Sequence, residues 1–246
     1  MRVALFMACF DDAMFPGTGK AVTALLERLG HEVTFPPGQT CCGQMHWSTG
    51  YHREAAGLAR GFADAFAAAS ADGRVVVTPS ASCAATVRHA YPRIARAAGD
   101  TGLARAVEDL AVYELTEFLV DVLGVTDVGA SFPHRVAYHP TCHSLRALRL
   151  GDRPLRLLRE VRGLELVDLP GAGECCGFGG SFAMKNADVS VAMAADTVRH
   201  VRQTAADVVC AVDDSCLAQI GGVLSRLRAG VRVLHLAEIL AGREAT

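Results

Sequence analysis

The sequence predicts an α/β protein: two tandem Rossmann-like repeats with parallel sheets covered by helices. Three observations point there. The triplet Cys-Cys-Gly occurs twice, at 41–43 and 175–177, with further cysteines at nearly matching distances. Between Cys9, Cys41-Cys42 and Cys83 lie 31 and then 40 residues; between Cys142, Cys175-Cys176 and Cys216 lie 32 and then 39. Duplication at this length is that of a domain, not of a solenoid unit. Finally, Val-rich strand segments alternate with helix-period segments, the pattern of a parallel sheet with helical crossovers.

The elements follow in order. "RVALFMAC" (2–9) reads as a strand ending on a cysteine, followed by a helical stretch; "HEVTFP" (31–36) is a second strand leading into "TCCG". "GYHREAAGLARGFADAFAAA" (50–69) is a longer helix, and "RVVVTPS" (74–80) a third strand leading to Cys83 and another helix. The second half repeats this order: "RVAYHPTC" (135–142), "LELVDLP" (164–170), "ECCG", "NADVSVAMAADTVRHVRQT" (186–204), "DVVCAVDDS" (207–215) and Cys216. In its long helix Asn186 is placed to cap the start, and Val191, Ala194, Ala195, Val198 and Val201 form an apolar stripe. The predicted organisation is a first repeat over 1–100, a mainly helical connector over 101–132, and a second repeat over 133–246 that ends in a strand and short helix, "VRVLHLAEIL".

Composition sets the class. Apolar residues make up 51% of the 246 and charged residues 20%, enough apolar surface for a sizeable core. The net charge is -2 with both signs interspersed, so no basic stripe invites nucleic acid or a membrane surface. No apolar run reaches the roughly 18 residues of a transmembrane segment. The start "MRVALFMACFDDAMFP" runs into Asp11-Asp12 without a small-x-small cleavage site, so it reads as a strand and the chain as cytoplasmic.

Nine cysteines in such a chain point to metal or redox chemistry before disulfides. In a parallel sheet ligands collect beyond the carboxyl ends of the strands, where each repeated cysteine falls. Neighbours in an ideal strand face opposite ways, so a Cys-Cys pair serves one site only where the backbone turns; Gly43 and Gly177 permit that turn. Four cysteines per half (Cys9, Cys41, Cys42 and Cys83; Cys142, Cys175, Cys176 and Cys216) match the ligand count of a [4Fe-4S] cluster and equally that of a four-thiolate zinc site. The long spacing and fused pair favour iron-sulfur over zinc, whose modules present C-x2-C knuckles. A strained vicinal disulfide would leave the flanking cysteines without a role.

The repeated arrangement, together with "ECCGFGGSFAMKNADVSVAMAADTVRHV", "TCCGQMHWSTGY", "SASC" and "DDSCLAQIGG", resembles the cysteine-rich CCG-domain family. That family includes the heterodisulfide reductase B subunit and the C-terminal regions of the glycolate oxidase and glycerol-3-phosphate dehydrogenase iron-sulfur subunits. A chain of two repeats and little else resembles the lactate-utilization branch. The resemblance implies two [4Fe-4S] clusters, with zinc in one or both sites as the alternative. It further implies an oxidoreductase complex that converts L-lactate to pyruvate, other iron-sulfur subunits as partners, and a 2-hydroxy acid substrate at the level of the complex. Glycolate, a heterodisulfide, or a zinc-stabilised assembly module are the alternatives. The family's fullest pattern ends each repeat in C-x-x-C; here Ser80 and Asp213 stand at the first of those positions, as candidate oxygen ligands, which favours a regular four-thiolate cluster over a disulfide-cleaving one.

Around the cysteines, His46, His139 and His143 are candidates for hydrogen bonds to cluster sulfur or for proton movement, and Lys185 for attracting an anionic substrate. Cys210 has no counterpart in the first half and reads as a core residue. Trp47 and Tyr51 are expected beside the first site. "FPGTGKAV" (15–22) lacks the Walker spacing and reads as a helix start, and "GFGGSF" lacks the G-x-G-x-x-G of a dinucleotide loop.

Overall fold

The structure is a computed structural model that describes residues 1–243. It divides into two compact units, Met1–Phe118 and the chain from Leu119 onward. In the first, β1 (Arg2–Leu5) is followed by α1 (Cys9–Met14) and α2 (Pro16–Arg28), then β2 (Glu32–Thr34), α3 (Gln44–Ser48), α4 (His52–Ala71) and β3 (Val75–Thr78). Next come α5 (Ala81–Ala85), a π-helical turn, α6 (Tyr91–Ala98), α7 (Thr101–Glu108), β4 (Val112–Glu114) and α8 (Leu115–Glu117). The sheet is parallel throughout, in the order β2-β1-β3-β4. Such strands are joined by crossovers that place helices over the faces.

The second unit repeats the plan with β5 (Arg135–Tyr138), α9 (Arg153–Arg159), β6 (Glu165–Val167), α10 (Ser181–Lys185), α11 (Ala187–Gln203), β7 (Val208–Ala211), α12 (Asp214–Arg226), β8 (Arg232–His235) and α13 (Leu236–Ala241). Its sheet is also parallel, in the matching order β6-β5-β7-β8. Among the described residues no helix is long and apolar enough to cross a membrane.

The duplication extends further than the cysteines. The stretch from 101, expected to be mainly helical, contains β4, the fourth strand of the first sheet. "VYELTEF" there occupies the place that "VLHLAEI" holds at the end of the chain. Glu114 closes β4 and accepts the amides of Thr116 and Glu117 at 2.8 and 3.2 Å; His235 closes β8 and accepts the amide of Ala237 at 3.0 Å. Each side chain satisfies donors left orphaned where a helix begins.

Glu114 is fully buried, and among the described residues its Oε1 has no hydrogen-bond partner. Loss of water around the carboxylate raises its pKa to about 8, against the opposing pull of the Thr116 and Glu117 donors. The raised value means the folded state holds the proton more tightly than the unfolded one. The contribution is therefore complete below the ordinary carboxylate range and is lost as pH rises through about 8. Glu114→Gln, neutral at every pH, should flatten the decline in stability between pH 5 and 9, with a gain on the order of 1–3 kcal/mol at the alkaline end. Urea titrations across that range check it; parallel pH profiles for the two proteins would show that the carboxyl does not titrate with folding.

α11 departs from the expected stripe. Its buried face is Ser190, Ala194, Thr197, Val198 and Val201, whereas Val191 is 59% exposed and Ala195 is also on the outside. Two hydroxyl residues take the inner positions because each is hydrogen-bonded there: Ser190 Oγ donates across to Gly177 O in the Cys-Cys-Gly turn at 2.8 Å, and Thr197 Oγ1 donates within the helix to Met193 O at 3.2 Å. Asn186 occupies the N-cap position but makes no capping hydrogen bond with its side chain. α2 starts where expected, with Pro16 in its first turn.

Candidate metal centre

Every strand in a parallel sheet ends on the same edge, and the repeated cysteines lie just past those ends. In the first unit Cys9 opens α1 after β1, Cys41 and Cys42 lie in the loop after β2, and Cys83 sits in α5 after β3. Folding draws the four together in a chain of sulfur contacts. The thiols of Cys42 and Cys9 donate to Cys41, and Cys42 also approaches Cys83, with the two sulfurs 3.1 Å apart. In the second unit Cys142 and Cys176 donate to Cys175, and Cys176 meets Cys216.

The two Cys-Cys-Gly turns work alike. Gly43 has φ 79° and Gly177 φ 85°, values a side chain disfavours. The turn folds the glycine amide back towards the first cysteine of the pair, Gly43 N to Cys41 Sγ at 3.3 Å and Gly177 N to Cys175 Sγ at 3.5 Å. Thiol and amide donors together hold the Cys41 and Cys175 thiols well below their ordinary range, each at about 2. Donating to those sulfurs, and burial, push Cys9 and Cys142 the other way. The first cysteine of each pair is thereby held as a thiolate, the form that binds metal.

Burial divides each quartet. Cys42, Cys83 and Cys176 are buried, while Cys9, Cys41, Cys142, Cys175 and Cys216 are partly exposed. Each site thus has an inner side set in the core and an outer side towards solvent. Cys42 and Cys83 belong to the cluster of Phe6, Phe62, Phe66 and Tyr91; Cys176 packs with Val198, Leu217 and Leu224. Cys210 is fully buried on β7, and its pKa is raised by desolvation.

The other sequence candidates are distributed unevenly. His46 lies in α3, close enough to Cys41 to favour its thiolate, and its Nδ1 is buried without a hydrogen-bond partner among the described residues. Ser80 caps α5, its Oγ accepting from Cys83 N at 3.2 Å. Asp213 is buried and accepts the Thr141 hydroxyl at 2.6 Å. His139 is buried, and one of its ring nitrogens groups with the sulfurs of Cys176 and Cys216, all within 4.8 Å of one another. His143 is partly buried at the start of the π-helical turn after Cys142. Lys185 is exposed at the end of α10. Trp47 packs partly buried on the core that holds Cys42, with the Arg93 guanidinium 5.7 Å from its ring centre, whereas Tyr51 is exposed.

Two contributors carry no sequence signal of their own. The Gln39 side chain accepts from Met7 N at 2.9 Å and donates to Leu5 O and Pro36 O, tying the loop before Cys41 to the end of β1. Tyr91 is wholly buried in the core cluster with Cys42 and Cys83, and its hydroxyl has no hydrogen-bond partner among the described residues. Burial first, then negative charge at Cys42, Cys83 and Cys41, raises its pKa.

The donor set suits a thiolate-held metal group. Eight sulfurs stand in two compact quartets, and unpartnered polar atoms of His46 and His139 lie beside them. The cysteine-rich domain family, CCG, matches residues 3–88 and again 136–221. "Lactate utilization protein A" of Geobacillus kaustophilus is 46% identical over 245 residues, covering 99% of this chain and 100% of the relative. The protein of that name from Oceanobacillus iheyensis is 43% identical, covering 98% and 96%. Among solved structures, a hypothetical protein from Helicobacter pylori has the same fold, with a TM-score of 0.63 at 15% identity, over all of this chain and 49% of that one.

Proposed function

This chain belongs to the cysteine-rich CCG-domain family, and on that premise we propose that it is the iron-sulfur redox subunit of a cytoplasmic complex that oxidises L-lactate to pyruvate. Cys9, Cys41, Cys42 and Cys83 hold one [4Fe-4S] cluster, and Cys142, Cys175, Cys176 and Cys216 hold the other. The observation that carries this reading is the convergence of both thiol quartets at the carboxyl edges of matching parallel sheets. Full-length similarity to proteins named for lactate utilization supports the substrate.

When bound, an iron-sulfur cluster accepts and releases single electrons at a potential set by its surroundings. The chain's own residues shape those surroundings. Cys42 and Cys176 exclude water on the inner side, while Cys9 and Cys41, and Cys142 and Cys175, face partly outward, where electrons from partner chains can enter and leave. The Gly43 and Gly177 amides neutralise part of the thiolate charge. Lactate oxidation releases two electrons and two protons; the substrate site and further clusters belong to partner subunits.

Zinc is the second reading, favoured by one observation: His139, Cys176 and Cys216 form a Cys/His donor group of the kind zinc takes. Anaerobic purification with metal and sulfide analysis separates the two. The expected sample is brown, with about eight irons and matching sulfide per chain. Lactate-dependent reduction of the clusters should follow when partner subunits are added. A colourless, zinc-bearing chain that also resists cluster reconstitution would end the redox proposal.

A further inference from the structure

The two quartets are similar, but their surroundings are not. Counting back from the first cysteine of each repeat, His139 falls where the first repeat has Phe6 and Thr141 where it has Ala8; counting back from the last, Asp213 falls where it has Ser80. Phe6 fills its place with apolar packing, edge-on to Phe62 at 4.8 Å and to Phe66 at 5.6 Å. His139 fills the corresponding place with a polar ring that is 1% exposed. Neither ring nitrogen has a hydrogen-bond partner among the described residues. Its backbone is firmly set, the amide donating to Cys210 O at 2.8 Å.

Burying a polar group without a partner is unfavourable, and a phenylalanine at the same position, as in the first repeat, avoids that cost. The imidazole is therefore placed for something bound beside it. The direction is given by its neighbours: the Cys176 and Cys216 sulfurs lie within 4.8 Å of a ring nitrogen. Resting on the iron-sulfur reading above, we propose that His139 donates a ring N–H to the second cluster, so that the two centres differ in reduction potential. A donor to cluster sulfur stabilises the added electron, so the second centre has the higher potential and is where electrons collect. The apolar Phe6 gives the first centre no such donor from the equivalent position.

The test uses the full chain, purified anaerobically, with 15N-labelled histidine, and combines pulsed EPR with a redox titration. In the unaltered protein a 15N coupling is expected, and His139→Phe should abolish it. The same substitution should lower the reduced-to-oxidised ratio of one centre about tenfold at fixed potential, ~59 mV for a one-electron couple, and leave the other centre unmoved. His139→Gln, which keeps an N–H donor, should restore part of the shift. If His139→Phe fails to load the second cluster, loading and an intermediate potential in His139→Gln support the assignment, and equal loss in both overturns it. Two clusters with couplings and potentials unchanged in His139→Phe would overturn it while leaving the iron-sulfur reading intact. A chain without clusters would remove both.

Discussion

Cys42→Ala and Cys176→Ala are each expected to remove one cluster and leave the other, halving the iron and sulfide of the purified protein. Cys42 and Cys176 are buried members of their quartets, each in contact with two other sulfurs. The three-thiolate remainder lacks a donor set in the core. The double variant should contain almost no iron. Cys210→Ala is the matched control, because Cys210 lies within β7 and outside both quartets; it should keep a full complement. With partners present, either single variant should lose lactate-dependent electron transfer by at least tenfold if the clusters act in series. Full iron and sulfide in Cys176→Ala would show that the second quartet is not a cluster site.

The second large effect concerns the glycines behind the pairs. A Cβ built on Gly177 would lie 2.5 Å from the Ser190 carbonyl oxygen and 3.0 Å from Met193 Cβ, at a φ that already disfavours any side chain. That carbonyl belongs to α11, which is held in place by Ser190 Oγ on Gly177 O and by Gln219 Nε2 on Ser190 Oγ at 2.9 Å. Neither partner can retreat without breaking those bonds. Gly43 is less confined, its nearest contact being Leu58 Cβ at 3.3 Å. Gly177→Ala should therefore cost about 3 kcal/mol and release the second cluster, while Gly43→Ala should cost about 1–2 kcal/mol, mostly from the positive φ. Urea unfolding of both variants, with iron content followed in parallel, checks the ranking. Equal losses would mean that the approach of α11 to Gly177 does not control the second turn.

Much of this was legible in the sequence, because it depends on short-range order along the chain. Strand-helix alternation and Val-rich runs determine a parallel α/β fold, and parallel strands bring their carboxyl ends to one edge whatever the side chains do. Cysteine spacing placed four thiols per repeat at those ends, and a glycine after each pair marked the turn. Other features depend on which side chains meet across the fold. β4 is three residues long and looks helical in isolation; it is a strand because Val76, Val77 and Thr78 of β3 offer it a ladder. The inner face of α11 is set by Gly177 and Gln219 claiming Ser190, against the apolar stripe. The difference between the two centres is likewise tertiary. A histidine beside a cysteine in sequence has many ordinary uses, and only packing shows that His139 is buried with both nitrogens lacking partners among the described residues while Phe6 packs into a core. Periodicity and spacing determine which residues share an edge; satisfaction of buried polar groups is a property of the closed structure.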